Sequence, residues 1–194
     1  IIFSAIAELG INQTLIRFVS KESSKKKNKV KSYVKYLGKI KVYFFLISSI
    51  ILLFSAKIIA EYIYQKPIFL ALLGGIFYIL FIQILGFLQS LLQASNNFFS
   101  ILKSEILFQI LRVLFVPLGI VLILKSSANK ELVTFISILI LAGCFAISCL
   151  FLFFKTKKEY KVKFKNSSKN ESLSLKQRKT INKFILSTTT LVLS

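Results

Sequence analysis

The sequence predicts an all-α protein, a polytopic transmembrane helix bundle, and three observations carry that reading. The 194 residues are 55% hydrophobic with a mean hydropathy of +0.73, above the roughly 45–50% apolar share of soluble domains. Two stretches, 67–94 (28 residues) and 132–154 (23 residues), hold no charge, and each exceeds the ~20 residues a helix needs to cross a bilayer. The 27 Lys and Arg against seven acidic residues give a net charge of +20, and they cluster outside the apolar runs. A disordered basic tail lacks this apolar content, and a soluble basic nucleic-acid-binding domain does not reach it.

Taken in order, residues 1–19 are apolar enough to be the remaining part of a span. A second span covers 42–60, with Lys57 near its far end as its one charge. The third, 67–94, and the fifth, 132–154, are the uncharged runs; the fourth, 104–124, carries Glu105 and Arg112. A soluble core can hide one such helix but not four in series, because only in lipid is a helix free to be apolar all round. Residues 1–154 thus form one membrane unit, and 155–179 a basic linker that opens Lys-rich and passes through a polar run. Ser172 or Ser174 is placed to cap a short surface helix with Leu175, Ile181 and Phe184 on one face and Lys176, Lys179 and Lys183 on another. Residues 180–194 begin a further span. The chain opens on Ile1 and ends within an apolar run, so it reads as a piece of a longer polytopic protein.

Because spans alternate sides, loop charges can be tallied by parity. One side receives 22 Lys and Arg (residues 17–41, 95–103 and 155–183), the other four: Lys57, Lys66, Lys125 and Lys130. The positive-inside rule places the basic side in the cytoplasm of a multi-pass protein of the plasma or inner membrane. These lysines suit anionic membrane lipids; no aromatic platform is interleaved for nucleic acid, so no nucleic-acid partner is expected. The loops 61–66 and 125–131 are hairpin turns with no room for an outer domain.

Little catalytic chemistry is in sight. His, Asp and Trp are absent, and Cys144 and Cys149, five apart inside a span, match no metal motif and read as small packing residues. No enzyme activity, metal or cofactor is therefore expected. The informative groups are polar ones at membrane depth. Arg112 lies eight residues into the 104–124 span, ~12 Å deep, where an arginine costs ~2.5–3.5 kcal/mol and faces a bundle interior or a hydrated cavity. Glu105 and Gln109 share its face, so Glu105 either neutralises Arg112 or leaves it open to an anionic ligand. On the preceding span Gln83, Gly86, Ser90, Gln93 and Asn97 form a polar stripe, read either as interhelical glue or as a cavity wall. Gln93, Asn96 and Asn97 are expected at headgroup level. Pro117 frees the carbonyl of Val113 and is expected to kink the helix beyond Arg112.

The segment Ala7-Glu8-Leu9-Gly10-Ile11-Asn12-Gln13-Thr14-Leu15-Ile16-Arg17-Phe18-Val19-Ser20-Lys21-Glu22 resembles the end of the second span of polysaccharide-biosynthesis flippases, most closely the O-antigen flippase branch of the multidrug/oligosaccharidyl-lipid/polysaccharide exporter superfamily. Four spans in two tight outer hairpins, a basic linker and an entry into a seventh span at 175–186 are similar to that layout. The resemblance implies the N-terminal lobe of a two-lobed bundle working by alternating access. It also implies a lipid-linked oligosaccharide substrate, its phosphate met by Arg112 with Gln109 and Gln83, and by Arg17 at the cytoplasmic mouth; Arg17 reads equally as a snorkelling topology signal. A polysaccharide polymerase is the protein partner such an activity would call for. The alternative is a cation-coupled multidrug exporter of the same superfamily, which wants a membrane-embedded carboxylate; Glu8 and Glu105 lie toward span edges. A sugar-transferring membrane enzyme is third.

The charge tally makes a direct prediction. In a background lacking Cys144 and Cys149, Ser127→Cys and Ser167→Cys are expected to react with an impermeant thiol reagent from opposite sides of the membrane; labelling from one side would refute the span count.

Overall fold

The computed structural model describes residues 10–24, 29–64, 68–125, 130–163 and 173–193, and every element among them is helical. In chain order these are α1 (Ile11–Ser24), α2 (Val30–Ile58, continued by a π-helical turn over Ile59–Ile63), α3 (Phe69–Ala94), α4 (Phe98–Lys125), α5 (Lys130–Lys163) and α6 (Leu175–Leu193). Four of them are long and apolar enough to cross a bilayer: Val30–Ile63, Phe69–Ala94, Phe98–Ile123 and Glu131–Tyr160. The chain is thus an all-α bundle of the multi-pass membrane kind.

The helices run further than the apolar runs alone suggested. α2 starts twelve residues before residue 42, and α5 continues to Lys163, past the expected boundary at 154. Lysines do not stop a helix: their stems are good helix formers and their ammonium groups reach water from a helix end. At its other end α2 passes into the π turn that carries Glu61, which pairs with Lys57 at 4.0 Å on the surface. Tyr62 and Tyr64 are exposed there, as in the aromatic belt of a membrane interface. The helix α4 runs through Pro117 to Lys125. The tips of the α2–α3 and α4–α5 connections, 65–67 and 126–129, lie outside the described residues.

The turn between α3 and α4 is three residues long and built from its sequence. Asn96 adopts φ 59°, the left-handed conformation asparagine tolerates. Asn97 N–H bonds Leu92 O at 2.9 Å and Asn96 N–H bonds Gln93 O at 3.0 Å, which closes a Schellman motif on α3. Asn97 Oδ1 then accepts from Ser100 N at 3.1 Å and caps α4. The Asn97 amide and Ser95 hydroxyl both reach Glu159 on α5. Asn96 and Asn97 thus build the turn itself, and α4 begins at Phe98 rather than near Ser104.

α3 and α5 lie parallel and make the most extensive helix pair, with α4 packed antiparallel against α5. Leu85, Leu88, Leu92, Phe108, Phe145 and Leu152 form the core here, with Phe108 stacked on Phe145 at 4.0 Å between ring centroids. Both cysteines are free and buried among these residues; the Cys149 thiol donates to Phe81 O at 3.2 Å. In a bilayer such contacts hold by dispersion and close fit, since lipid is as apolar as the core.

A second core joins α1, α2 and α6 on the Lys-rich side, from Ile11, Leu15, Val19, Tyr33, Leu37 and Ile181. α6 opens on a capping box: Ser174 Oγ accepts from Gln177 N at 3.3 Å while Gln177 Oε1 accepts from Ser174 N at 3.1 Å. Ser174 is thus the cap; Ser172 lies outside the described residues. The apolar face differs from expectation. Leu175 is 77% exposed, whereas Leu173, Ile181 and Ile185 are buried, because Leu175 sits six residues from Ile181 and falls on another side of the helix. The lysines at 176, 179 and 183 face outward as expected. Gly10, at φ +66°, precedes α1 where a Cβ would run into Thr188 of α6.

Between the two cores sits a buried lysine. Lys41 of α2 is 5% exposed and its ammonium donates to Asn12 Oδ1 of α1 at 2.7 Å. The Asn12 amide fits over Gly86 of α3, where a Cβ would lie 3.0 Å from Nδ2. Three helices thus meet through one polar contact that needs a glycine beneath it. Asn12→Ala is expected to destabilise the bundle by about 1.5–3 kcal/mol in a denaturant titration in micelles, the range for a hydrogen bond to a charged group. Removing the charge as well, in Asn12→Leu with Lys41→Met, should recover most of that loss; no recovery would show that the contact contributes only shape.

Candidate functional site

A polar cleft of about 540 Å³ opens between α1, α3 and α4. Asn12 and Gln13 come from α1, Gln83, Gln89, Ser90 and Gln93 from α3, and Glu105 from α4; Phe108 and Phe145 form its apolar floor. Helical spacing puts these α3 residues on one side, because positions three and four apart recur on one face. Of the two readings of the polar stripe, the cavity wall is the one this geometry matches for Gln83, Ser90 and Gln93. Ser90 also returns its hydroxyl to Gly86 O at 2.7 Å, which satisfies it within its own helix.

One contact defines the electrostatics of the cleft. Gln89 Nε2 donates to Glu105 Oε1 at 2.5 Å, so the carboxylate is turned toward α3 and the cleft rather than along α4 toward Arg112. Among the described residues, Glu105 is the one carboxylate in a lining otherwise made of amides, a hydroxyl, glycine and apolar groups. Such a surface carries many paired donors and acceptors and little net charge.

The structure separates the residues that the sequence grouped. Gln83 is 6% exposed and lines the cleft. Gln109 and Arg112 do not: both are exposed on the outer side of α4. A three-residue turn ties α3 to α4, and the cleft reaches along α4 from Glu105 to Phe108, so Glu105 borders it and Arg112, two turns on, does not. Arg112 lies over the ring of Phe108 at 5.8 Å, and that ring is part of the cleft floor, so the arginine sits behind the wall rather than in the chamber. It stands fourteen residues into the span Phe98–Ile123, ~21 Å along it, which is close to the middle. This span is also the least buried of the four, at 6% against 33% for Glu131–Tyr160. Arg17 is exposed on α1 with its guanidinium 4.3 Å from the Phe184 ring of α6, a stacking contact at the Lys-rich end.

Asn12, Gln13 and Gln89 were missed as site residues. A signal for Asn12 and Gln13 was present, as adjacent amides inside an otherwise apolar segment; Gln89 stands three residues from Gly86 and four from Gln93, so the spacing of the stripe admits it as well. Among the described residues no group of three or more His, Cys, Asp or Glu could hold a metal ion. Compared with protein-family models, curated proteins and solved structures, the chain matches none.

If the cleft is hydrated, Gln83→Cys and Gln93→Cys should react with a charged aqueous thiol reagent at rates at least about tenfold above Leu80→Cys, with Cys144 and Cys149 replaced by Ala in each variant. Equal rates at the three positions would mean that water does not enter.

Proposed function

We propose that this chain is part of a membrane flippase that moves a lipid-linked oligosaccharide from the cytoplasmic to the outer face by alternating access, with its Lys-rich loops in the cytoplasm of the plasma or inner membrane. The observation that carries the reading is the amide-lined cleft at membrane depth. Sugar hydroxyls each donate and accept, and amide and carboxylate side chains return both, so Asn12, Gln13, Gln83, Gln89 and Glu105 offer the complementary surface. A volume of about 540 Å³ falls within the roughly 300–1,000 Å³ of small-molecule sites. The resemblance of residues 7–22 to polysaccharide flippases supports the same class of substrate.

Arg112 takes a different part in this proposal from the cleft amides. A guanidinium near mid-membrane on an exposed helix face requires an anionic or hydrated surrounding. A phosphate or pyrophosphate linking sugar to lipid supplies it, and the planar fork binds such a group in two places at once.

A cation-coupled exporter is the second reading, and Glu105 is the observation in its favour. The carboxylate stands in the cleft against Gln89 rather than at a span edge, as a cation or proton site requires.

Glycolipid translocation by the full-length protein in vesicles separates these readings. Gln83→Leu and Gln89→Leu are each expected to slow it about three- to tenfold, the worth of one neutral hydrogen bond, and Arg112→Ala about ten- to a hundredfold. Normal translocation by all three variants at normal expression would remove the flippase reading. Glu105→Gln should leave glycolipid transport within a few fold; abolished proton- or sodium-dependent export of cationic dyes would instead favour the exporter.

A further inference from the structure

Beside the polar cleft, on the other flank of α3, an apolar groove of about 450 Å³ runs between α2 and α3. Gly38, Val42, Phe45 and Leu46 form one bank; Leu80, Ile84 and Phe87 form the other. Lys41 also borders it but turns its ammonium to Asn12, so the methylenes of its stem are what it adds to the wall. Gly38 keeps this end of the groove open: a Cβ there would make ordinary contact with Phe87 at 3.6 Å, and a larger side chain would fill the space.

Two features identify what fits. The groove extends from Gly38 to Leu46, eight residues and ~12 Å along α2, against a leaflet depth of ~15 Å for half of a ~30 Å hydrocarbon core. It is the length of one acyl chain in the leaflet on the Lys-rich side. The second feature is charge. Lys31, Lys35, Gly38, Val42 and Phe45 follow one another at three and four residues, so they share one face of α2. Lys35 is exposed and Lys31 half-buried, and both stand just beyond the groove's Gly38 end. The opposite face, with Tyr33 and Leu37, is taken up by the core around α1 and α6.

We infer that the α2–α3 groove is a binding site for an anionic phospholipid, its acyl chain lying between Gly38, Phe45 and Phe87 and its phosphate held by Lys31 and Lys35. The site is independent of what the polar cleft carries. It differs from a general attraction of basic loops to a charged surface because both the chain and the headgroup are placed.

The absence of tryptophan from the sequence provides the test. Phe45→Trp in the full-length protein, with any tryptophan outside these residues replaced by phenylalanine, gives a single fluorescent reporter, to be quenched in vesicles by phosphatidylglycerol or phosphatidylcholine with the same brominated chains. Phosphatidylglycerol is expected to be preferred at least about fivefold, the factor expected from one lysine near an anionic headgroup. Phe115→Trp, on the exposed face of α4, is expected to show no preference and reports that the protein is folded in the bilayer. Lys31→Gln with Lys35→Gln should abolish the preference at the Phe45→Trp reporter, and Gly38→Leu should weaken quenching by both lipids there while leaving the α4 reporter unchanged. Equal quenching by the two headgroups, or a preference that survives loss of both lysines, would overturn the site. So would a Phe45→Trp reporter quenched by neither lipid, which would mean that protein covers the groove.

Discussion

A bilayer core offers no hydrogen-bond partner, and most of this structure follows from that constraint. It makes every spanning element a helix, because a helix satisfies its own backbone. It also favours polar side chains that settle their bonds locally or with one another, although the buried hydroxyls of Ser104 and Ser148 do neither. Thr14 returns its hydroxyl to Gly10 O, Ser55 to Ile51 O, Ser90 to Gly86 O and Ser137 to Val133 O, each one turn back in its own helix. Groups too long for that solution reach across helices: Lys41 to Asn12, and Gln89 to Glu105. The bundle is thus stitched at a few polar points inside an otherwise apolar packing, and those points decide where the helices can come together.

The polar cleft is a consequence of the same stitching. α1 approaches α3 closely where Gly86 leaves space for Asn12, and α4 meets α3 at a three-residue turn and through the Gln89–Glu105 contact. The wedge between them mixes amides with aliphatic and aromatic side chains: Asn12, Gln13, Gln83, Gln89 and Gln93 stand beside Ile16, Ile82 and Leu85. On the neighbouring flank the same helix α3 shows Leu80, Ile84 and Phe87 to α2, and the groove there is apolar. One helix therefore separates a surface suited to hydroxyls from one suited to hydrocarbon, and Gln83 borders both.

Much of this was legible in the sequence where the signal is one-dimensional. The apolar runs announce the spans because hydrocarbon thickness sets a length, and the Ser174 cap of α6 could be read because a capping box is a local spacing. The polar stripe on α3 was visible for the same reason, as a period along one helix. Span ends were less legible: the lysines at 31, 35 and 39 and at 155–158 looked like loops and are helical. Hydropathy reports where a helix is in lipid, not where it stops. Asn96 and Asn97 carried a turn signal that the stripe reading obscured.

What the sequence by itself determined is the class of the molecule, four helices able to cross a membrane, and it carries the expectation that most lysines lie on one side. Tertiary structure alone decided which polar residues share a chamber. Glu105 and Arg112 stand on one stripe of α4, yet one faces Gln89 in the cleft and the other lies exposed behind Phe108. A stripe records direction from a helix axis, whereas a site also needs a second helix at that height. That depends on turns, glycines and crossing geometry contributed by residues far away in the chain.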